Sequence, residues 1–527
     1  MEYRYDFLVI GGGIAGLSFT LKVSKHGRVA LLTKTSLEEA NTFYAQGGIA
    51  TVMLQSDNFE KHIQDTLIAG DFLCDRAAVE KVVHEAPEQI KALIEWGVNF
   101  DRDEEGHFDL HREGGHSEYR ILHHKDSTGS EIQATLVQRV LQNPMIDVYN
   151  DHFAIDIITQ HHLGQVVTRH TPDITCFGAY VLNQSTGAID TFLGKVTLIA
   201  TGGIGNVYQI TTNPTIATGD GIAMVHRARG LITDMEFVQF HPTALYYPGE
   251  RPSFLITEAM RGYGAKLRNK NGERFMQKYD ERLELAPRDV VARAIDNEMK
   301  THGDEFVYLD VTHKDAEETK KHFPMIYEKC LSVGIDITRS MIPVAPAAHY
   351  LCGGIQVDLH ARTSIDRLYA AGESSRTGLH GANRLASNSL IEAIVFADAA
   401  ARDAVQRIDS ISFTSVPAWN DEGTTLPEEM VLITQSVKEV QQIMSTYVGI
   451  VRSNLRLERA KARLEILYRE TENLFDRSVV SKEICELRNL ISVGYLIIKQ
   501  AMQRKENIGL HYNIDHAAST ASELHST

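Results

Sequence analysis

Three glycines near the start of the chain have a spacing that could bind phosphate. Gly11, Gly13 and Gly16 stand in the pattern G-x-G-x-x-G. In this pattern one glycine allows a tight turn, one lets a pyrophosphate approach the backbone, and one lets a helix pack closely on a strand. The free N–H groups and the partial positive charge at a helix N-terminus would then bind the phosphates. The spacing therefore predicts that the chain binds a dinucleotide.

The segments around these glycines must form a strand–turn–helix–strand unit for the motif to work. Residues 7–10 are an apolar run long enough for one buried strand, residues 17–24 have helical character, and residues 29–33 are a second apolar run. Lys34 follows this second run, where an acidic residue usually binds the ribose hydroxyls. That lysine disfavours a plain NAD site, and an ordinary glycine-rich turn is the alternative interpretation.

Composition limits the classes of protein to which the chain can belong. With 527 residues the chain is too long for a single hydrophobic core, and this length predicts about two to four domains. The net charge of −16, with no basic run, disfavours nucleic acid and anionic membranes as partners. The first predicted strand begins almost at Met1, and no apolar run approaches the roughly 20 residues of a membrane helix. We therefore expect a cytoplasmic protein whose five scattered cysteines are reduced.

The order of the predicted elements indicates an α/β fold with three parts. A Rossmann-like domain is predicted from residues 1–234 and 351–407, which share strand–glycine–helix patterns. Residues 235–350 are richer in Pro, Arg and His and are predicted to be an inserted α+β domain. Residues 408–527 are predicted to be a linker followed by a helical domain, and residues 58–100 to be one helical stretch.

With these residues considered, the chain resembles the flavoprotein family of succinate dehydrogenase, fumarate reductase and L-aspartate oxidase. The resemblance runs nearly end to end, through blocks that occur in one order: Tyr44-Ala-Gln-Gly-Gly-Ile49, Thr218-Gly-Asp-Gly221, Gln239-Phe-His-Pro-Thr243, Arg288-Asp289, His349-Tyr350, Cys352-Gly-Gly354, Ala371-Gly-Glu373 and Gly381-Ala-Asn-Arg384. The L-aspartate oxidase branch is resembled most closely, through Arg112-Glu-Gly-Gly-His-Ser117, Phe323-Pro-Met-Ile-Tyr327 and Pro346-Ala-Ala-His-Tyr350. The family fold implied is a Rossmann-like FAD-binding domain with an inserted α+β capping domain and a C-terminal helical domain.

The resemblance implies FAD as the cofactor. Glu373 would offer a carboxylate to the ribityl hydroxyls, with a helix-cap carboxylate as the alternative. Respiratory members attach FAD through a histidine at the position of Asn41, so here FAD is expected to be bound non-covalently. The implied cofactor contacts are Gly11, Gly12, Gly13, Ile14, Ala15, Gly16, Lys34, Asn41, Thr42, Phe43, Tyr44, Ala45, Gln46, Gly47, Gly48, Asp220, Glu373, Ser389 and Leu390.

The substrate implied by the resemblance is a four-carbon dicarboxylate. Arg288 and Arg384 would bind its two carboxylates, because a guanidinium group offers a planar, bidentate fork. For each arginine a surface ion pair is the alternative. Glu113 would orient the ammonium group of L-aspartate, with a solvated loop carboxylate as the alternative. Further hydrogen bonds are expected from His241, Thr257 and His349.

The implied reaction is oxidation of L-aspartate to iminoaspartate, the first step of NAD synthesis through quinolinate. Oxygen would be reduced to hydrogen peroxide, or fumarate to succinate. Because iminoaspartate is used for quinolinate, quinolinate synthase is a candidate partner. In the fumarate direction Arg288 is the family's proton donor or acceptor, although a free guanidinium has a pKa above about 12. His241 or His349 is the alternative proton carrier, because an imidazole ordinarily titrates closer to neutral pH.

Two other functions are compatible with some of these motifs. A fumarate reductase or succinate dehydrogenase flavoprotein subunit would share most of the motifs, but Asn41 and Glu113 argue against it. An FAD-containing assembly subunit without turnover is the other alternative, and the intact set of histidines and arginines argues against it. A dense histidine group suggests a metal site, but its spacing matches no zinc pattern and no metal is expected: His107, His111, His116, His123 and His124.

Overall fold

A computed structural model describes residues 1–125, 127–426 and 430–516 of the chain. The strands are β1 Glu2–Ile10, β2 Val29–Leu32, β3 Ile49–Ala50, β4 Leu110–His111, β5 Ile121–Leu122, β6 Ile146–Tyr149, β7 His152–Ile158, β8 Gly178–Asn183, β9 Ile189–Ile199, β10 Ile232–Thr233, β11 Val238–Leu245, β12 Lys266–Arg268, β13 Val307–Asp310, β14 Ile342–Leu351, β15 Gly354–Gln356, β16 Leu368–Ala370 and β17 Ser375–Arg376. The helices are α1 Ile14–Val23, α2 Phe59–Ala69, α3 Arg76–Trp96, α4 Thr128–Leu141, α5 Asp220–Arg227, α6 Glu258–Gly262, α7 Arg288–His302, α8 Ala316–His322, α9 Pro324–Ser332, α10 Asn388–Arg407, α11 Met430–Tyr447, α12 Asn454–Arg477 and α13 Lys482–Gln503.

The predicted strand–turn–helix–strand unit lies at the centre of the largest sheet. β1 pairs in parallel with β2 on one side and with β9 on the other, and β6 and β16 extend the parallel part. Side chains of β1 alternate between two buried faces. Phe7 and Val9 pack with α1, α3, α4 and α10, whereas Leu8 and Ile10 pack with α5 and α13. Burial on both faces explains why this strand is apolar throughout.

The helical stretch predicted at residues 58–100 is divided into two helices. Asp71 and Phe72 have positive φ angles of 52° and 55°, which interrupts the helix between α2 and α3. The Asp75 side chain then caps α3 by accepting a hydrogen bond from the N–H of Ala77. α3 ends at Trp96, and Gly97 directly after it adopts a left-handed conformation.

The inserted segment has its own sheet and core. β11, β14, β13 and β12 form an antiparallel sheet in that order, with α6 to α9 beside it. Buried apolar residues such as Leu267, Ile295 and Leu309 fill the space between them. The predicted α+β character of this segment is therefore confirmed, while the exact domain boundaries stay a prediction.

The C-terminal region is helical, as predicted. Helices α11, α12 and α13 contribute apolar side chains to the same core as the central sheet, and Ile484, Leu487 and Ile491 lie on the buried side of α13. Within the described ranges no helix is long and apolar enough to cross a membrane. All five cysteines are described and none forms a disulfide.

Candidate active site

A cavity of about 890 Å³ extends from the glycine turn after β1 to the inserted segment. Every residue predicted as a cofactor or substrate contact lines this cavity except Gly16 and Phe43. A Cβ atom on Gly16 would lie 2.0 Å from the carbonyl oxygen of Gly11, so this glycine allows α1 to pack on the turn. The side chain of Phe43 is 42% exposed and lies against Tyr44, outside the cavity. Phe43 therefore differs from the expectation, because its ring faces solvent.

The glycine turn is shaped to admit a group against the backbone. Gly11 has a φ of +117°, and a Cβ atom there would lie 2.1 Å from the carbonyl oxygen of Ala200. Gly13 is extended, and among the described residues a Cβ atom there would meet only the hydroxyl of Thr42, at 3.4 Å. The hydroxyl of Thr42 accepts the N–H of Ile14, the first residue of α1. Gly13, directly before α1, has no side chain that could cap the helix. This open helix N-terminus fits the pyrophosphate of a dinucleotide.

Asn41 and Glu373 meet beside this turn. The Nδ2 of Asn41 donates to Oε2 of Glu373 at 3.0 Å, and the N–H of Leu351 donates to Oε1 at 3.0 Å. Burial raises the pKa of Glu373 to about 7, against these hydrogen bonds and the positive charge of Arg384. The Oδ1 of Asn41 is buried without a hydrogen-bond partner among the described residues. An unpartnered acceptor beside a buried carboxyl group fits a ligand that carries hydroxyl or N–H donors.

Lys34 lies in an ion network that reaches the C-terminal helices. Its Nζ donates to Oγ1 of Thr218 at 2.6 Å, to Oδ2 of Asp220 at 2.7 Å and to Oε1 of Glu486 at 2.7 Å. Burial alone would lower the pKa of Lys34, but the two carboxylates outweigh burial and raise it. The charged lysine thereby holds Asp220 at the cavity wall. Glu486, on α13, was not predicted.

Arg384 faces the cavity, and no described carboxylate is its partner. Its Nε and Nη2 donate to Oε1 of Gln239, at 3.1 and 2.9 Å, and its Nη1 donates to the hydroxyl of Ser389 at 2.8 Å. The guanidinium lies 4.7 Å from the ring centroid of Tyr350. Burial, and then the charge of Arg288, lower its pKa. Because its partners are neutral, Arg384 can bind an anion, which excludes the surface ion pair considered from the sequence.

Arg288 is the first residue of α7, and it is paired. Its Nε donates to Oε2 of Glu258 at 2.5 Å, and Nη2 of the buried Arg261 lies 3.6 Å from the same oxygen. Burial would raise the pKa of Glu258, but the two arginines lower it. One carboxylate thus faces two guanidinium groups, which leaves a net positive charge on this group of three. Thr257 caps α6 by accepting the N–H of Ala259, so its hydroxyl is fixed beside Glu258.

His241 and His349 lie on the paired strands β11 and β14, with ring centroids 5.7 Å apart. The Nδ1 of His241 accepts the N–H of Thr243 at 3.3 Å, and the Nδ1 of His349 is hydrogen-bonded to the hydroxyl of Thr212 at 2.7 Å. Burial, and then neighbouring arginines, lower the pKa of both histidines well below the ordinary value. Both rings are therefore neutral, and the proton of His241 is on Nε2.

Glu113 brings an unpaired negative charge to the cavity. Its Oε2 accepts a hydrogen bond from the hydroxyl of Ser387 at 2.6 Å. Within the described part of the chain, no Lys, Arg or His forms an ion pair with this carboxylate. Sequence reasoning did not identify Ser387, which is far from Glu113 along the chain.

The histidine group predicted from the sequence is divided by the fold. His116 is buried and bound to the carbonyl oxygen of Ala386, whereas ligand atoms of Asp109, His111 and His123 lie within 4.8 Å of one another. The rings of His111 and His123 stack at 3.7 Å with 21° between their planes. The expectation that the group holds no metal stays a prediction.

Two family models together match most of the chain. The model described as FAD binding domain matches residues 6–390, and the model described as fumarate reductase flavoprotein C-term matches residues 437–524. The first match spans both the glycine turn and the segment that carries Arg384. The expectation of FAD as the cofactor is confirmed by this match.

Individual proteins are similar over nearly the whole chain. L-aspartate oxidase of Pseudomonas aeruginosa is 49% identical over 523 residues, which cover 98% of this chain and 96% of that protein. Chloroplastic L-aspartate oxidase 2-b of Nicotiana tabacum is 47% identical, covering 97% of this chain and 81% of that protein. A solved mutant of E. coli quinol fumarate reductase FrdA aligns with a TM-score of 0.84 at 31% identity, covering 98% of this chain and 92% of that one. The chain therefore belongs to the L-aspartate oxidase family, within the FAD-binding flavoproteins that include fumarate reductase.

Proposed function

We propose that this chain oxidises L-aspartate to iminoaspartate and passes the electrons to oxygen or to fumarate. The observation that carries the proposal is the charge pattern of the cavity. Among the described residues, Arg384 has only neutral partners and Glu113 has no ion-pair partner, whereas Arg288 shares its carboxylate partner with Arg261. Two cationic groups and one anionic group complement the two carboxylates and the ammonium group of an amino dicarboxylate.

The chain's own residues would hold FAD without a covalent bond. The glycine turn and the start of α1 would bind the pyrophosphate, Glu373 the ribityl hydroxyls, and Ser389 with Leu390 the flavin ring. Asn41 has no nucleophilic ring nitrogen and is already hydrogen-bonded to Glu373. When bound, FAD supplies the group that accepts a hydride from the substrate Cα.

The substrate is held by charge and by neutral donors. Arg288 and Arg384 bind the two carboxylates, and Glu113 binds the ammonium group. His241 donates from Nε2, since its Nδ1 accepts a backbone N–H. A neutral ring donates a hydrogen bond without adding a third positive charge beside the two arginines, which agrees with its low pKa.

Arg288 is our candidate for proton transfer to a fumarate carbon. Both histidines have pKa values well below the ordinary one, so at neutral pH they hold no imidazolium proton to give. The guanidinium of Arg288 gives the proton and regains one from solvent by transient protonation of Glu258, whose Oε2 contacts Nε of Arg288 and whose side chain is 34% exposed. This relay assigns Glu258 a role that no motif suggested.

The proposed biological role is supply of iminoaspartate in the cytoplasm to quinolinate synthase for NAD synthesis. Support for this role comes from the names of the relatives and from the chemistry of the product. The direct test of the reaction is peroxide production by the purified FAD-loaded chain with L-aspartate, D-aspartate or succinate. We expect peroxide with L-aspartate alone. A chain that makes no peroxide and passes no electrons to fumarate would instead be an assembly subunit without turnover.

A further inference from the structure

Ser387 has an unusual backbone conformation at the edge of the cavity. It directly precedes α10 and has a φ of +62° and a ψ of 2°, in the left-handed region that serine seldom adopts. Its side chain is not a helix cap, and the residue is only 8% exposed. A strained residue that does not cap its helix needs another explanation, because such strain concentrates where a side chain must point in one direction.

The direction of the Ser387 side chain is toward Glu113. The hydroxyl lies 2.6 Å from Oε2 of Glu113 and donates to it, since an ionised carboxylate only accepts. No other described residue donates a hydrogen bond to this carboxylate. The other oxygen, Oε1, lies 3.2 Å from the position that a Cβ atom on Gly47 would take. Ser387 on one side and the backbone of Gly47 on the other thus restrict where the carboxylate can lie.

A second contact fixes the loop of Glu113 to the same segment. The Nε2 of His116 lies 2.9 Å from the carbonyl oxygen of Ala386. Burial lowers the pKa of His116, so the ring is neutral and its Nε2–H donates to this carbonyl. The N–H of His116 also donates to the carbonyl oxygen of Glu113 at 3.1 Å. Residues 113–116 are therefore attached to residues 386–387 by two contacts, one from the His116 side chain to the main chain of Ala386 and one between the side chains of Ser387 and Glu113.

The same segment carries the arginine that would bind a substrate carboxylate. Arg384 lies three residues before Ser387, and its Nη1 donates to the hydroxyl of Ser389. One stretch of seven residues, 384–390, thus holds a carboxylate-binding group and the residue that orients the candidate ammonium-binding group. The positions of these two groups therefore both depend on one turn and the start of one helix.

We propose that Ser387 is a positioning residue that orients Glu113 and so determines the preference for an amino dicarboxylate over a dicarboxylate without an amine. The proposal rests on the proposed function, because it assumes that Glu113 binds the ammonium group. In this role Ser387 acts through Glu113. Its hydroxyl holds the carboxylate in one orientation, and removing it frees the carboxylate to rotate.

The test compares two reactions of the same FAD-loaded protein. For Ser387→Ala we expect the ratio of kcat/KM for L-aspartate oxidation to kcat/KM for fumarate reduction to fall about tenfold, through a raised KM for L-aspartate. Ser387→Gly also removes the hydroxyl but relieves the left-handed strain, so the same fall is expected. Ser387→Asn suits the left-handed conformation and offers an amide donor, so it should recover much of the ratio.

A double-mutant cycle with Glu113→Gln shows whether Ser387 acts through Glu113. If it does, Ser387→Ala causes no further fall in the ratio when Glu113 is already changed. Additive effects, or an equal loss in both reactions, would overturn the proposal and assign Ser387 a structural role. Failure of the unaltered chain to oxidise L-aspartate is a different result, since it contradicts the proposed function before any variant is compared.

Discussion

The Nε of Arg288 lies 2.5 Å from Oε2 of Glu258, in a contact that joins the first residue of α7 to the first residue of α6. The pair fixes the plane of the guanidinium group at the wall of the cavity. Arg261 approaches the same carboxylate oxygen from inside α6, at 3.6 Å. The excess of positive charge at this point supports the proposal that Arg288 binds and protonates an anionic substrate.

Replacing Arg288 should therefore abolish both reactions. We expect Arg288→Leu to lower kcat/KM for L-aspartate oxidation and for fumarate reduction by at least about 10³-fold. The substitution removes both the group that binds a substrate carboxylate and the group that transfers the proton. Arg293→Leu is the matched control, since Arg293 lies on the same helix and pairs with Asp289. Steady-state kinetics with both substrates makes the comparison. Retained turnover with fumarate would remove Arg288 from proton transfer.

Replacing Glu113 should impair only the reaction of the substrate that carries an amine. Glu113→Gln removes the negative charge, so we expect kcat/KM for L-aspartate to fall about ten- to a hundredfold while fumarate reduction is spared. Glu118→Gln is a suitable control, because Glu118 lies in the same loop region and is paired with Lys61. Equal losses in the two reactions would argue against a role specific to the amine.

The sequence predicted those parts of the site that are local. The glycine turn follows from the spacing of Gly11, Gly13 and Gly16, and most of the cavity residues lie in short motifs. Contacts made by tertiary pairing were not predictable in this way. Glu258 and Ser387 meet their partners across 30 and 274 residues, and only the packing of the inserted segment and α10 brings them together. The break at Asp71 was missed because its cause is the backbone conformation of a non-glycine residue.

Replacement by alanine should have different effects at two glycines of the turn. A Cβ atom on Gly13 meets only Thr42, and its extended backbone suits alanine, so Gly13→Ala should fold. The added methyl group occupies the space of the pyrophosphate, and we expect the dissociation constant for FAD to rise about tenfold or more. Gly16→Ala should instead destabilise the fold, because its Cβ would lie 2.0 Å from a carbonyl oxygen. Thermal unfolding without FAD, together with FAD titration, separates the two; an unstable Gly13→Ala would contradict this account.

The carboxyl group of Glu373 should make stability and FAD binding depend on pH. Its pKa is about 7 in the folded chain, above the value of about 4.3 for an unfolded one. Between these values the folded chain binds more protons than the unfolded chain. The contribution of Glu373 to stability without FAD is therefore present at low pH and is lost as the pH rises toward 7.

Hydroxyl donors of FAD would favour the ionised carboxylate, so binding should release a proton. We expect the dissociation constant for FAD to fall about tenfold when the pH is raised from about 6 to about 8, and Glu373→Gln to remove this dependence. Isothermal titration calorimetry in buffers of different ionisation enthalpy would detect the released proton. An unchanged pH dependence in Glu373→Gln would assign it to another group.

The most direct test of the central claim is a single anaerobic mixing experiment. The FAD-loaded chain is mixed with L-aspartate without oxygen, and the visible absorption of the flavin is followed. We expect L-aspartate to bleach the flavin, succinate at the same concentration to do so far less, and added fumarate to restore the colour. A flavin that stays oxidised with L-aspartate would contradict the proposal that this cavity oxidises an amino dicarboxylate.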